Sequence, residues 1–127
     1  MPRFVILRHE TPAGYERGLH WDLMLEADSQ LRTWALGAEP ADEVAIPFEE
    51  LPDHRLAYLE YEGEVAGGRG VVSRWDAGTY QWLAEEETKR VALLNGQRGE
   101  YRVTLEFNSI GSRFGLARFH WSVAGDH

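Results

Sequence analysis

The chain has no cysteine among its 127 residues. That excludes disulfide staples, thiolate metal sites and cysteine nucleophiles. It has no apolar run near the ~18 residues that a membrane helix needs. Met1-Pro2-Arg3-Phe4 shows no signal-peptide hydrophobic region, so the reading is a cytoplasmic protein with no membrane partner. Positive charge is scarce: 13 Lys and Arg stand against 21 Asp and Glu, a net charge of −8. That argues against broad coating of DNA, because non-specific affinity depends on neutralising phosphates. It does not exclude recognition of a nucleic-acid end through a small local site. No repeat, low-complexity segment or linker interrupts the chain, and its length suits one domain over 1–127 with a proper core, expected to be a monomer. No Gly-x-Ser-x-Gly elbow and no Gly-Lys-Ser/Thr P-loop occur.

Aromatics are plentiful at 12%, with five Trp, and short apolar runs with period-two alternation dominate. Residues 3–9 read as a strand ending in Arg8-His9, and 10–18, with Pro12, Gly14 and Gly18, as a loop. Residues 19–26 alternate strictly. Leu19, Trp21, Leu23 and Leu25 form an apolar face, and His20, Asp22, Met24 and Glu26 form the other. Residues 27–30 turn into a third strand, 31–36. Residues 44–48 suggest an edge strand because Pro47 cannot donate to a central ladder. Residues 49–55 read as a polar stretch. Residues 56–65 read as an alternating strand, 66–70 as a Gly-rich turn, 71–75 as a strand, and 76–78 as a turn into 79–82. Residues 85–94, acidic at the start and stopped by Asn95-Gly96, read as the one short helix. Strands at 101–107 and 116–123 finish the chain. The sum is a mainly β protein with one short helix, a compact antiparallel β-barrel or a strongly curved sheet.

The chemical signal lies in His9, His20 and Asp22. His20 and Asp22 share a strand face, roughly 7 Å apart at Cα, so their tips can converge on one cation. His9 completes the set if its strand is a neighbour. Two imidazoles and a carboxylate suit Mn²⁺, Zn²⁺ or Fe²⁺ better than Ca²⁺. Solvated polar residues on a strand are the competing reading. Asp53-His54 with Tyr58 offers a phosphate ligand or general acid, or an idle loop histidine. Gly67-Gly68-Arg69-Gly70 reads as a strand turn, and Arg69 and Arg74 as candidate anion contacts. His120, between Phe119 and Trp121, reads as structural.

These features resemble the 3′-phosphoesterase domain of bacterial DNA ligase D. The likeness runs from Phe4-Val5-Ile6-Leu7-Arg8-His9 through His20-Trp21-Asp22-Leu23-Met24-Leu25-Glu26, where the family shows His-Tyr-Asp-Phe-Arg-Leu-Glu. It continues through Leu31-Arg32-Thr33-Trp34-Ala35, Asp53-His54 with Tyr58, Glu62-Gly63 and Trp75-Asp76-Ala77-Gly78-Thr79-Tyr80. The resemblance implies a β-barrel that uses Mn²⁺ to process 3′ ends of DNA, removing a 3′ ribonucleotide or 3′-phosphate for a repair ligase or polymerase. It implies His9, His20 and Asp22 as metal ligands, and His54 and Tyr58 as phosphate contacts. The chain departs from the pattern at Met24, where the family carries a phosphate-clamping Arg, and in a longer 10–19 loop. Arg17, Arg69 or Arg74 is the expected replacement. The alternative to the enzyme is a silent relative that binds a metal, a nucleotide or a protein.

Overall fold

The computed structural model of the chain describes residues 1–15 and 17–122. Nine strands are present: β1 Arg3–Glu10, β2 His20–Ala27, β3 Gln30–Leu36, β4 Ala45–Arg55, β5 Gly63–Glu64, β6 Val71–Glu85, β7 Lys89–Gly96, β8 Gly99–Phe107 and β9 Phe114–Trp121. All strand pairings are antiparallel, in the order β1-β2-β3-β4-β9-β8-β7-β6, and β6 pairs back onto β1. Eight strands therefore close a barrel, and closure leaves them no unpaired edge. The two-residue β5 lies outside this ring and pairs with the start of β6.

The turn between β2 and β3 is a two-residue hairpin. Asp28 and Ser29 hold φ of 50° and 69° between the pair Ala27 and Gln30. Two left-handed residues are what the right-handed strand twist demands of so short a loop.

Alternation places one set of side chains inside. Phe4, Ile6, Trp21, Leu23, Leu25, Trp34, Leu36, Tyr101, Val103, Leu105 and Phe119 belong to the barrel core. Leu19 of the anticipated apolar face precedes β2 and is exposed. The outward face of β1 and β2 is covered too. Val5, Leu7, Met24, Leu31, Leu59, Val65 and Val72 form a second buried cluster. Its lid is the segment between β4 and β6, with a 3-10 turn at Leu56–Leu59 and then β5. This double burial explains why β2 is buried on both faces through Leu25.

Five expectations are corrected. The helix at 85–94 is a hairpin: β6 runs to Glu85, and Lys89–Gly96 is β7. Val91, Ala92, Leu93 and Leu94 alternate between half-buried and buried, so tertiary pairing overrides the helical charge pattern. The strand at 56–65 is instead the 3-10 turn and β5. Residues 49–55 belong to β4, and 76–78 lie within β6. Residues 44–48 are not an edge, since β4 pairs with both β3 and β9. Pro47 is tolerated because β3 ends at Leu36, and the Pro47 carbonyl accepts the Gly37 N–H at 2.9 Å. The last strand ends at Trp121, and Val123 lies outside the described residues.

Candidate metal centre

His9 and His20 face each other directly across β1 and β2, and Asp22 stands two residues on, opposite Leu7. All three therefore project from the outward face, at the rim of the second apolar cluster. The ring centroids of His9 and His20 are 4.7 Å apart. His9 Nδ1 lies 3.3 Å from Asp22 Oδ2, and His20 Nε2 lies 3.3 Å from Asp22 Oδ1. One nitrogen or oxygen from each residue falls within 4.8 Å of the others.

The remaining ring nitrogens fix the tautomers. His9 Nε2 donates to the Arg69 carbonyl at 2.8 Å, and His20 Nδ1 donates to the Gly18 carbonyl at 2.8 Å. An imidazole that gives its N–H to a backbone carbonyl presents a lone pair from its other nitrogen, the usual outer support of a metal-binding histidine. In neutral His20 that lone pair faces Asp22 Oδ1, a buried oxygen without a hydrogen-bond partner. Two acceptors set against each other are costly unless a cation or proton lies between them. The donor set thus fits a divalent transition ion.

Charge is shifted accordingly. Burial pushes the Asp22 carboxyl up, but the adjacent imidazoles of His20 and His9 outweigh it and hold the group below its usual range. His9 is raised above 6.5, chiefly by its hydrogen bond to Asp22, with burial opposing and the Arg69 carbonyl assisting. Without a metal, the His9 contribution to stability is fully present below pH 6.5 and is lost as pH rises through the raised value. That of Asp22 is present above 3.8 and is lost as pH falls through the lowered value. An ion must displace the His9 proton, so its affinity should move oppositely. Calorimetric titration with Mn²⁺ should show binding weaken by up to about tenfold per pH unit below the His9 pKa. A flat profile between pH 5 and 8 would remove His9 from the ligand set.

A cavity of about 80 Å³ opens beside this trio, lined by His9, Asp22, Met24, His54, Tyr58 and Arg69, with Val65 and Val72. His54 reaches it from the end of β4, where it pairs with Leu31. Its Nδ1 donates to the Pro52 carbonyl at 2.9 Å, leaving Nε2 for the cavity. Tyr58, on the 3-10 turn, packs edge-on against His54 with centroids 5.8 Å apart. Arg69 Nε donates to the Ala66 carbonyl at 2.7 Å.

The other two arginines lie elsewhere. Arg74 sends its guanidinium to the Leu59 carbonyl at 3.3 Å, behind the 3-10 turn. Arg17 lines a separate groove on the far side of His20 and is ion-paired with Glu49. Met24 is not on an open polar face; it is 1% exposed inside the second cluster. His120 lies on β9 with Nδ1 3.0 Å from Glu43 Oε1. With Asp42 these form a second trio of possible ligands, but it is exposed, and Asp42 already accepts the Trp121 N–H.

Sequence reading missed the backbone members of the site. The Arg69 carbonyl meets His9 because Gly70, at φ +106°, lets the 66–70 turn press onto β1. A Cβ there would overlap the Glu10 carbonyl. A glycine needed for close backbone approach was the available signal.

Residues 8–118 match the model of the DNA ligase D 3′-phosphoesterase domain. The multifunctional non-homologous end joining DNA repair protein LigD of Mycobacterium tuberculosis is 30% identical over 120 residues, 91% of this chain and 14% of that protein. The LigD proteins of Pseudomonas aeruginosa and Mycolicibacterium smegmatis are 27% and 28% identical, over 91% and 90% of this chain. The chain thus spans only 13% and 15% of the length of those two relatives. Because the family match begins at the residue before His9 and takes in the candidate site with six of the eight barrel strands in full, this chain belongs to the DNA ligase D 3′-phosphoesterase domain family.

Proposed function

We propose that the chain is a divalent-metal-dependent phosphoesterase that removes a 3′-phosphate or 3′-ribonucleotide from DNA ends during repair. The observation that carries this reading is the set of lone pairs converging from His9, His20 and Asp22 beside a cavity that also receives His54 and Tyr58. The relatives' naming as non-homologous end joining DNA repair proteins supports a repair context and work alongside a ligase or polymerase. Mn²⁺ is the metal that the family resemblance favours, with Zn²⁺ next.

When bound, a divalent ion would polarise the phosphoryl oxygen and lower the pKa of a water at the site. The chain's own residues do the rest. Asp22 and the two histidines hold the ion at the cavity wall. His54, protonated at Nε2, donates to a phosphoryl oxygen or to the leaving oxygen. The Tyr58 hydroxyl donates to the same phosphate, and Arg69 brings positive charge to the rim. Neighbouring apolar side chains Met24, Val65 and Val72 limit water and so strengthen these contacts. With an 80 Å³ cavity and a net charge of −8, the protein grips one phosphate at an end, not a duplex backbone.

Release of phosphate from a 3′-phosphate primer with Mn²⁺, and its loss in His54→Ala, tests the reading. Absence of release with the metal shown to be bound would overturn it. A second reading, a silent relative that binds a metal, a nucleotide or a protein partner, is favoured by Met24 and by the net charge of −8. Methionine provides no donor where the family pattern has a guanidinium. Because Met24 is buried, Met24→Arg is expected to lose about 1–3 kcal/mol of stability by overpacking, measured by urea unfolding. If the same variant gains tenfold or more in phosphate release, the wild type is a weakened enzyme. If release is already fast and stays unchanged, Arg69 is the clamp.

A further inference from the structure

A second, larger cavity of about 440 Å³ lies against the small one, and the two share Tyr58 and Val65 in their walls. It is lined by Arg55, Tyr58, Tyr61, Glu64, Gly67 and Gly68, with Ala57 and Ala66. The small cavity has room for a phosphoryl group but not for the nucleoside that carries it. The larger one falls in the size range of small-molecule sites. We propose that this cavity is a nucleoside subsite, which takes the sugar and base attached to the phosphate held beside His9, His20 and Asp22. The inference rests on the phosphoesterase reading of the adjoining site.

The composition of the walls supports that ligand class. Tyr58 and Tyr61 meet edge to face with centroids 6.0 Å apart, so their rings offer two surfaces set at right angles. Tyr61 is 40% exposed, and its hydroxyl is held by the Glu64 carbonyl. The ring is thus fixed while one face stays open. A fixed, half-exposed aromatic face next to a phosphate site is suited to base stacking, which tolerates any base. Gly67 and Gly68 adopt φ of 81° and 68° and carry no side chain, so their peptide groups can approach a sugar closely. Arg55 brings donors and Glu64 acceptors for the base edge. This placement also answers the charge problem. A net charge of −8 disfavours holding DNA by its backbone, and stacking supplies affinity that does not depend on positive charge.

Three probes test this: inorganic phosphate and deoxyadenosine 3′-monophosphate on the Mn²⁺-loaded chain, and deoxyadenosine on the Zn²⁺-loaded chain, whose diamagnetic ion leaves nearby NMR signals sharp. Calorimetry gives affinities for the first two, and NMR shifts locate the third. The nucleotide should bind at least about tenfold more tightly than phosphate. Tyr61→Ala should bring the nucleotide down to the phosphate level, leave phosphate and Mn²⁺ affinity unchanged, and Tyr61→Phe should retain the difference. Deoxyadenosine should shift the Tyr61, Gly67 and Gly68 signals. Equal affinity for nucleotide and phosphate, with no shift from deoxyadenosine, would overturn the subsite and leave the phosphoesterase reading standing. Shifts from deoxyadenosine without any phosphate binding would keep the subsite and overturn that reading. An equal loss of both affinities in Tyr61→Ala would also overturn the subsite, because Tyr61 would then act only by bracing Tyr58.

Discussion

Asp22→Asn is expected to abolish the rise in melting temperature that Mn²⁺ produces in the wild type. A metal that binds only the folded chain stabilises it by mass action, about 2.7 kcal/mol at a hundredfold excess over Kd. Asp22 is the hinge of the set, since its two oxygens face His9 and His20 separately. The amide keeps the shape but loses the charge, and turns one oxygen into an NH₂ donor. That donor can pair with the free nitrogen of His9 or His20 and occupy the cation's place. Loss of an outer support costs about 10–100-fold in metal affinity, and loss of a charged ligand should exceed that. Phosphate release should fall at least as far. The variant should still fold, because the amide can hydrogen-bond to the same histidines. Circular dichroism and thermal melts with and without Mn²⁺ check both halves. A full Mn²⁺ response in Asp22→Asn would exclude Asp22 as a ligand and would sink the metal centre with it.

Asp76→Ala is the second large effect, and it lies outside the site. Asp76 is wholly buried on β6. Its Oδ1 accepts the backbone N–H groups of Ala77, Gln97 and Arg98 at 2.9, 2.8 and 3.2 Å. Its Oδ2 accepts the Tyr101 hydroxyl at 2.5 Å. Burial, reinforced by this carboxylate, pushes the Tyr101 phenol far above its usual value, so the hydroxyl stays a donor at any working pH. Gly96 passes so close that a Cβ there would overlap the carboxylate. One side chain thus ties the β7–β8 turn to the bulge where β6 shifts register against β1. Removing it strands several donors, each worth about 1–3 kcal/mol when left unpaired, with partial rescue by water. The expected loss is on the order of 3–5 kcal/mol in urea unfolding. Asp76→Asn, which keeps one carbonyl acceptor, should lose less. Mn²⁺ affinity of the folded fraction should be unchanged. A loss under about 1 kcal/mol would show that the turn finds other partners.

How much of this was legible beforehand depended on whether a residue's role is local. Strict alternation in β2 specified which side chains share a face, because a strand's period is fixed at two. That was enough to set His20 beside Asp22. The β2–β3 hairpin was legible for a similar reason, since the turn lies between two clear alternating runs. The segment 85–94 misled because its charges follow a helix pattern, whereas its pairing with β6 and β8 is set by residues far away in sequence. Asp76 was read as part of a turn because Asp, Ala and Gly favour turns. Only the neighbouring strands reveal that it is a buried acceptor.

The sequence by itself determined the mainly β class, the shared face of His20 and Asp22, and the family to which the chain belongs. Each of these follows from local periodicity or from motif order. Tertiary structure alone decided the register that sets His9 opposite His20. It decided that the carbonyls of Gly18 and Arg69 orient the two rings. It separated Arg69, at the cavity, from Arg17 and Arg74, which lie elsewhere. It also placed Met24 under a lid. The reason is physical: backbone carbonyls and close approaches carry no residue-type signature, and their positions are fixed by pairings between segments distant in sequence, such as Arg3 with Thr79.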